Sequence, residues 1–331
     1  TIHPDFPTIK SNGLLLNIKL SFDEYQAKSF WAQVYNKPQI SLNLDYITSG
    51  NKSIGNFIGL IPQIGIELNK TNRETVFFNF GLGLGIATNP FNKATNPENN
   101  VVGSSLSIYV KPSINYNRKI SERFYLTSAI SIHHFSNGNF VSPNIGANQL
   151  SISIGASMNL NKNEIGILND NNFDSPSFDN KIFPFIRAGL GLKEVAVDGP
   201  KFPIYLLALG IKKKTTLKDQ WSFGVEYLVN YADIHFMKST FAFEGEEFNK
   251  ASRWLIFLGH DFLYRKFAFT TELGYYTSKH YDKRSSFSSK IGIKYISPKI
   301  RFANFHLESG LFVRAKLLEA EFIEWTSSIN F

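Results

Sequence analysis

The chain of 331 residues contains no cysteine and only two methionines. A protein without thiols has no disulfide to staple it, and that profile suits passage through an oxidising compartment. No run approaches the roughly 18 to 20 apolar residues that a spanning helix needs, which excludes a helical membrane protein. No secretory leader is visible either: the opening TIHPDFP reads as a mature or trimmed terminus, so export must be argued from elsewhere. Phenylalanine, by contrast, occurs 31 times and aromatic residues make up 15% of the chain. The formal charge of +8 admits nucleic acid, anionic lipid or lipopolysaccharide phosphates as partners and does not choose among them.

The dominant pattern has a period of two. In ETVFFNFGLGLGIA, Val76, Phe78, Phe80, Leu82, Leu84 and Ile86 fall on one face, with Asn79, Gly81, Gly83 and Gly85 on the other. Ile40, Leu42, Leu44 and Tyr46 likewise oppose Ser41, Asn43 and Asp45, and helical spacing fits neither stretch. The alternation predicts strands over 38–48, 56–69, 74–87, 102–117, 122–136, 147–160, 182–194, 202–214, 219–230, 251–263, 266–278, 285–297, 301–313 and 319–331. These are longer than the ~5 to 6 residues usual in soluble sheets and match the ~9 to 11 that cross a bilayer at a tilt. A soluble β-sandwich also alternates, but it shows water a charged face, whereas the polar face here is rich in Gly, Ser, Asn and Thr, as a barrel interior is.

The ending EFIEWTSSINF sets Ile323, Trp325, Ile329 and Phe331 against Glu324, Thr326, Ser328 and Asn330, and it looks like the closing-strand signal of bacterial outer-membrane proteins. Connections alternate in length as well. Long ones at 49–55, 88–101, 137–146, 195–201, 231–250 and 279–284 are expected outside, and short turns such as KTNRE and KISER inside. The expectation is an all-β, antiparallel transmembrane barrel of the outer membrane, about 14 to 16 strands in a single domain over 1–331. Residues 161–181 would then be a long turn, or a linker between two smaller barrels. A further alternating stretch, Leu16, Ile18, Leu20 and Phe22, makes the strand count odd.

One strand end carries chemistry. In ISIHHFSNGNFVSPNIGANQL, Ile130, Ile132, His134 and Ser136 share a face, with Ser131 and His133 opposite, and Asn148 is in phase with the apolar face of the following strand. His134, Ser136 and Asn148 therefore converge on one outward patch near the outer leaflet. A serine hydroxyl needs a neighbouring base, the base needs a group to fix its tautomer, and a nearby amide can hold an oxyanion. That set suits ester hydrolysis.

The same stretch resembles the signature of the outer-membrane lipid A 3-O-deacylase family, often called acyloxyacyl hydrolases, in which H-x-S-N is followed by P-N-x-G. The resemblance implies a β-barrel that removes an ester-linked acyl chain from lipid A, with no metal and no cofactor. It implies His134 as base, Ser136 as nucleophile and Asn144 as oxyanion helper. NPFNKATNPENNVVGSSL and FWAQVYNKPQISL look like the longer versions found in Bacteroidetes-type bacteria, which extends the resemblance over residues 1–160 and leaves 182–331 as generic barrel. Where the family has an acidic third member, this chain has Asn148, and in the serine-protease precedent an acid-to-amide change costs ~10⁴-fold in turnover.

Blander readings stand beside this one. His133 and His134 could bind headgroups while Ser136, Asn137 and Gly138 open an ordinary loop; a metal held by the histidine pair is disfavoured because the two point to opposite faces. GLGLG at 81–85 and GLG at 189–191 lie inside strands, where small lumen-facing residues account for them better than nucleotide loops. Lys212, Lys213, Lys214 and Lys218 read as a solvated rim rather than a nucleic-acid site. The expected partners are lipopolysaccharide and its lipid A, outer-membrane lipids and other outer-membrane proteins, not nucleic acid. A non-enzymatic barrel that binds lipopolysaccharide or joins an outer-membrane assembly is the second reading, favoured by Asn148. A porin-like channel is the third.

Overall fold

The computed structural model describes residues 12–22, 34–35, 38–160, 181–278, 286–299, 305–316 and 319–331. The chain divides into two compact units, Thr1–Asn137 with Pro143–Ser175, and Gly138–Ser142 with Pro176–Phe331. The first is a seven-stranded sheet in chain order: β1 Leu15–Ser21, β2 Gln39–Thr48, β3 Asn56–Lys70, β4 Glu74–Ala87, β5 Leu106–Lys119, β6 Phe124–Ser136 and β7 Ala147–Met158. The second is a closed barrel of β8 Ile182–Glu194, β9 Lys201–Lys214, β10 Asp219–Asn230, β11 Ser252–Tyr264, β12 Phe267–Tyr276, β13 Phe287–Ile296, β14 His306–Lys316 and β15 Glu319–Asn330. All neighbouring strands are antiparallel.

The single barrel expected over 1–331 is thus corrected to two sheets. The physical reason is the closing ladder: β15 pairs with β8, Trp325 opposite Leu190, so the second sheet is complete after eight strands. The stretch that made the count odd is a real strand, with Leu15 to Ser21 pairing Ile47 to Ser41. Residues 161–180 lie outside the described residues, as do 279–285 and 300–304, so the turn-or-linker expectation for 161–181 falls there. One strand begins later than periodicity placed it, at Leu106; the start of the strand expected at 301–313 lies outside the described residues. The expected loop at 231–250 contains two helices, α1 Tyr231–Ser239, capped by the Asn230 side chain on the Ala232 and Asp233 amides, and α2 Glu247–Ala251.

The faces turn out as the alternation requires. Leu42, Leu44 and Tyr46 of β2 point outward and are exposed, while Ser41, Asn43 and Asp45 are buried inside. On β15, Trp325 and Ile329, with Phe331 just beyond it, lie outside and Glu324, Thr326, Ser328 and Asn330 inside. An apolar surface wrapped around a polar interior inverts a soluble core and is what a hydrocarbon surround selects.

Inside the closed barrel the polar face carries charge in balance. Among the described residues, seven cations, Arg187, Lys212, Arg253, Lys290, Lys294, Arg314 and Lys316, are paired with seven carboxylates, Glu226, Asp233, Asp261, Glu272, Glu308, Glu321 and Glu324. Lys212 corrects the expectation of a solvated rim: it is buried, with its ammonium 2.5 Å from Glu308, because strand alternation turns it inward while Lys213 faces out. These groups are excluded from solvent, which speaks against the porin-like reading, since a pore wets the charges that line it. A buried charge stripped of its partner costs roughly 3 to 5 kcal/mol. Arg314, which binds Glu226 and Glu324, makes the test: Arg314→Met is expected to lower the unfolding free energy of the closed barrel by about that amount, measured by urea unfolding in lipid vesicles.

Candidate active site

Strand β6 brings the histidine and the serine to one end of the first sheet. Its outer face carries Phe124, Leu126, Ser128, Ile130 and Ile132, then His134 and Ser136; its inner face holds Ser131, His133 and Phe135, all buried. Antiparallel register sets His134 directly opposite Asn148 on β7 and Ser136 opposite Ile108 on β5.

The pairing is chemical as well as geometric. His134 Nδ1 lies 2.7 Å from Asn148 Oδ1. A carbonyl oxygen only accepts, so His134 donates through Nδ1–H, which in the neutral ring leaves Nε2 as the acceptor. Asn144 Nδ2 donates to Ser136 Oγ at 2.8 Å, while its Oδ1 accepts from the Asn137 amide at 3.0 Å, so both ends of the Asn144 side chain are fixed. Ser136 is only 6% exposed, less open than an outward patch implies, because the loop carrying Asn144 folds over it.

That loop depends on a glycine and on a neighbouring connection. Gly146 adopts φ +82°, and a methyl there would touch both the His134 ring, at 3.4 Å, and Ser136 Cβ, at 3.7 Å. Its amide donates to Val101 O at 2.9 Å and that of Ile145 to Asn100 O at 3.3 Å. The asparagine-rich stretch behind them is knitted by side chains: Asn99 accepts from the Val101 and Val102 amides and donates to Asn89 O, and Asn96 donates to Ser53 O, Asn89 O and Pro90 O. Outside, the site is bordered by exposed Leu106, Ile132 and Leu150.

All four residues singled out from the sequence meet here, as two hydrogen-bonded pairs, His134 with Asn148 and Ser136 with Asn144, packed around Gly146. Sequence reading missed the interior behind them. Asp45, Tyr109 and His133 are fully buried; Tyr109 Oη lies 2.7 Å from Asp45 Oδ2 and 2.6 Å from His133 Nδ1, and His133 Nε2 lies 2.7 Å from Ser151 Oγ. Lys111 binds both Asp45 oxygens, at 3.0 and 2.7 Å. The signal was present, since polar residues at 45, 109, 111 and 133 all fall on inner-face positions, but nothing in one sequence says that three strands bring them together. His133 therefore faces the interior rather than headgroups, and among the described residues no group of histidines and carboxylates could hold a metal ion.

Residues 17–157 match the family model described as lipid A 3-O-deacylase (PagL), and residues 178–331 match the acyloxyacyl hydrolase C-terminal domain. The chain belongs to the lipid A 3-O-deacylase family. The second match extends the family into the half that had read as generic barrel. No curated protein matches the chain. Among solved structures it is similar to the KdgM porin at 8% identity, over 82% of this chain and 92% of that one, with a TM-score of 0.19. The toluene transporter TodX of Pseudomonas putida gives 10%, 96%, 76% and 0.19, and CdiB from Acinetobacter baumannii gives 9%, 97%, 57% and 0.20 in the same order. At these TM-scores the architecture rests on the chain's own ladders.

For a deacylase, Asn144 is the side chain to probe, because Asn144→Asp keeps the acceptor for the Asn137 amide and removes the donor to Ser136. Loss of one oxyanion donor costs about 10² to 10³ in turnover. The variant is expected to fold normally and to lose that much of the acyl-release rate in single-turnover assays on lipopolysaccharide.

Proposed function

We propose that this chain is an outer-membrane esterase that removes an ester-linked acyl chain from lipid A at the outer-leaflet end of its first sheet. The observation that carries the reading is the paired geometry around Gly146, with a base whose tautomer is set by Asn148 and a serine already hydrogen-bonded to an amide donor. Family membership supports lipid A as substrate class, and the apolar outer faces support a membrane setting. The long connections, at 49–55, 88–105 and 137–146, gather at the end of the sheet that holds the site, the end expected outside the cell.

The chemistry follows from the donors and acceptors. Ser136 Oγ attacks the ester carbonyl while His134 Nε2 takes the hydroxyl proton. Asn144 Nδ2–H then donates to the tetrahedral oxyanion. As the intermediate collapses, the sugar alcohol leaves with the proton from His134, and an acyl-serine remains. Water, deprotonated by the same histidine, hydrolyses that ester and restores Ser136. The exposed side chains of Leu106, Ile132 and Leu150 lie where the acyl chain would run along the barrel wall, so the chain need not leave the hydrocarbon. The reaction as written uses no metal or cofactor.

Asn148 favours a second reading, a deacylase-like barrel of low activity that binds lipopolysaccharide or serves an outer-membrane assembly. An amide holds the histidine tautomer but does not neutralise the imidazolium formed during attack. One experiment separates the two. Purified protein is incubated with lipopolysaccharide and lipid A is followed by mass spectrometry, with Ser136→Ala and Asn148→Asp alongside. The esterase reading expects loss of one hydroxy-acyl chain with the parent, none with Ser136→Ala, and faster loss with Asn148→Asp, by at most the ~10⁴-fold of the protease precedent. An unchanged spectrum with the parent and a cleaved one with Asn148→Asp would assign the chain to the second reading.

A further inference from the structure

We infer that Tyr109, on the inner face of β5, is the positioning residue for the outer His134–Ser136 pair, acting through His133 and Phe135. The inference rests on the reading of that pair as hydrolytic.

The backbone at this point is weakly held on one side. The β5–β6 ladder runs Ile108 to Ser136, Tyr109 to Phe135 and Val110 to His134, and resumes only at Ser113 opposite Ser131. The gap falls at Lys111 and Pro112, opposite His133 and Ile132, and a proline has no amide to donate. Side chains fill the gap. Tyr109 stacks on Phe135 with centroids 4.2 Å apart and planes 6° from parallel, and on His133 at 6.0 Å and 13°; Phe57 closes the stack on Phe135 at 4.5 Å. The stack needs two glycines, since a methyl on Gly59 would overlap the Tyr109 ring and one on Gly85 the Phe135 ring.

The hydrogen-bond polarity along this chain is determined. Asp45, held by Lys111, only accepts, so Tyr109 spends its single hydroxyl proton on Asp45. Its oxygen therefore accepts from His133 Nδ1–H, and His133 Nε2 accepts from the Ser151 hydroxyl. His133 is thereby tied to β5 on one side and to β7 on the other. In a strand, side chains alternate, so the residues that fix the pitch of His134 and Ser136 are their inner neighbours, His133 and Phe135, and Tyr109 touches both. A misplacement of about 1 Å in reacting groups can cost 10²-fold in rate.

The test uses the full chain in lipid nanodiscs with Tyr109→Phe, which keeps the ring stack and removes the hydroxyl, and Ser151→Ala, which frees His133 Nε2 at the other end. Asn43→Ala is the control: Asn43 bonds Ser41 and Gln63 in the same interior, accepts from Asn17 at 3.4 Å, and bonds neither Tyr109 nor His133. The readouts are kcat and KM on lipopolysaccharide, and the nitrogen-15 resonances of the His134 ring, assigned by loss in His134→Gln. Tyr109→Phe is expected to lower kcat roughly 10- to 100-fold with KM within about twofold, and to move His134 from a pure Nδ1–H tautomer to an averaged pair. Ser151→Ala should move both in the same direction by less, and Asn43→Ala neither. Unchanged kcat and tautomer in Tyr109→Phe would overturn the inference, as would an equal loss in Asn43→Ala. Should the parent protein cleave no lipopolysaccharide, the esterase reading fails by itself, and the His134 tautomer in Tyr109→Phe still decides the positioning role.

Discussion

A strand that turns aliphatic side chains outward must bury whatever alternates with them, and this constraint organises both units. Polar groups that leave water without a partner lose on the order of kilocalories each, so every inward position has to be paired, small or aromatic. In the closed barrel the solution is charge balance, with buried arginines and lysines matched to carboxylates in connected clusters. In the seven-stranded sheet it is a mixture: an apolar plug of Phe57, Ile61, Tyr109 and Phe135 next to a hydrogen-bonded chain through Asp45, Lys111 and His133.

The two solutions leave different possibilities for function. A lumen packed with ion pairs makes a stiff, sealed scaffold, because moving any one charge unpairs another. The first sheet puts its polar investment on both faces of one strand. His133 looks in and is held on two sides; His134, the next residue, looks out and is free at Nε2. The His134 and Ser136 side chains therefore lie on the outer face of the sheet, while the contacts that hold their strand come from the inside.

Much of this was legible in the primary structure. Period-two alternation located the strands to within a few residues, and even the surplus strand at Leu16 to Phe22 is present. His134, Ser136, Asn144 and Asn148 could be grouped because the site is local: its residues fall within fifteen positions on one hairpin, and hairpin register is set by alternation and the turn. Less legible were the helices at 231–251 and the late start of β5, where loop residues such as Val102 keep an apolar phase although they leave the ladder.

By itself, then, the sequence determined the class of strand, the alternation of its faces, and the grouping of His134, Ser136, Asn144 and Asn148 on one hairpin, because these depend on neighbours one, two or a few positions away. Only the tertiary structure decided that the strands form two sheets and not one barrel, since closure depends on which edge β15 meets, here Leu190 of β8. It also decided that Lys212 is an interior cation and that Asp45, Tyr109 and His133 form one chain. Those contacts join residues on different strands up to 96 positions apart, and alternation, which repeats every second residue, carries no information about the partner across a lumen.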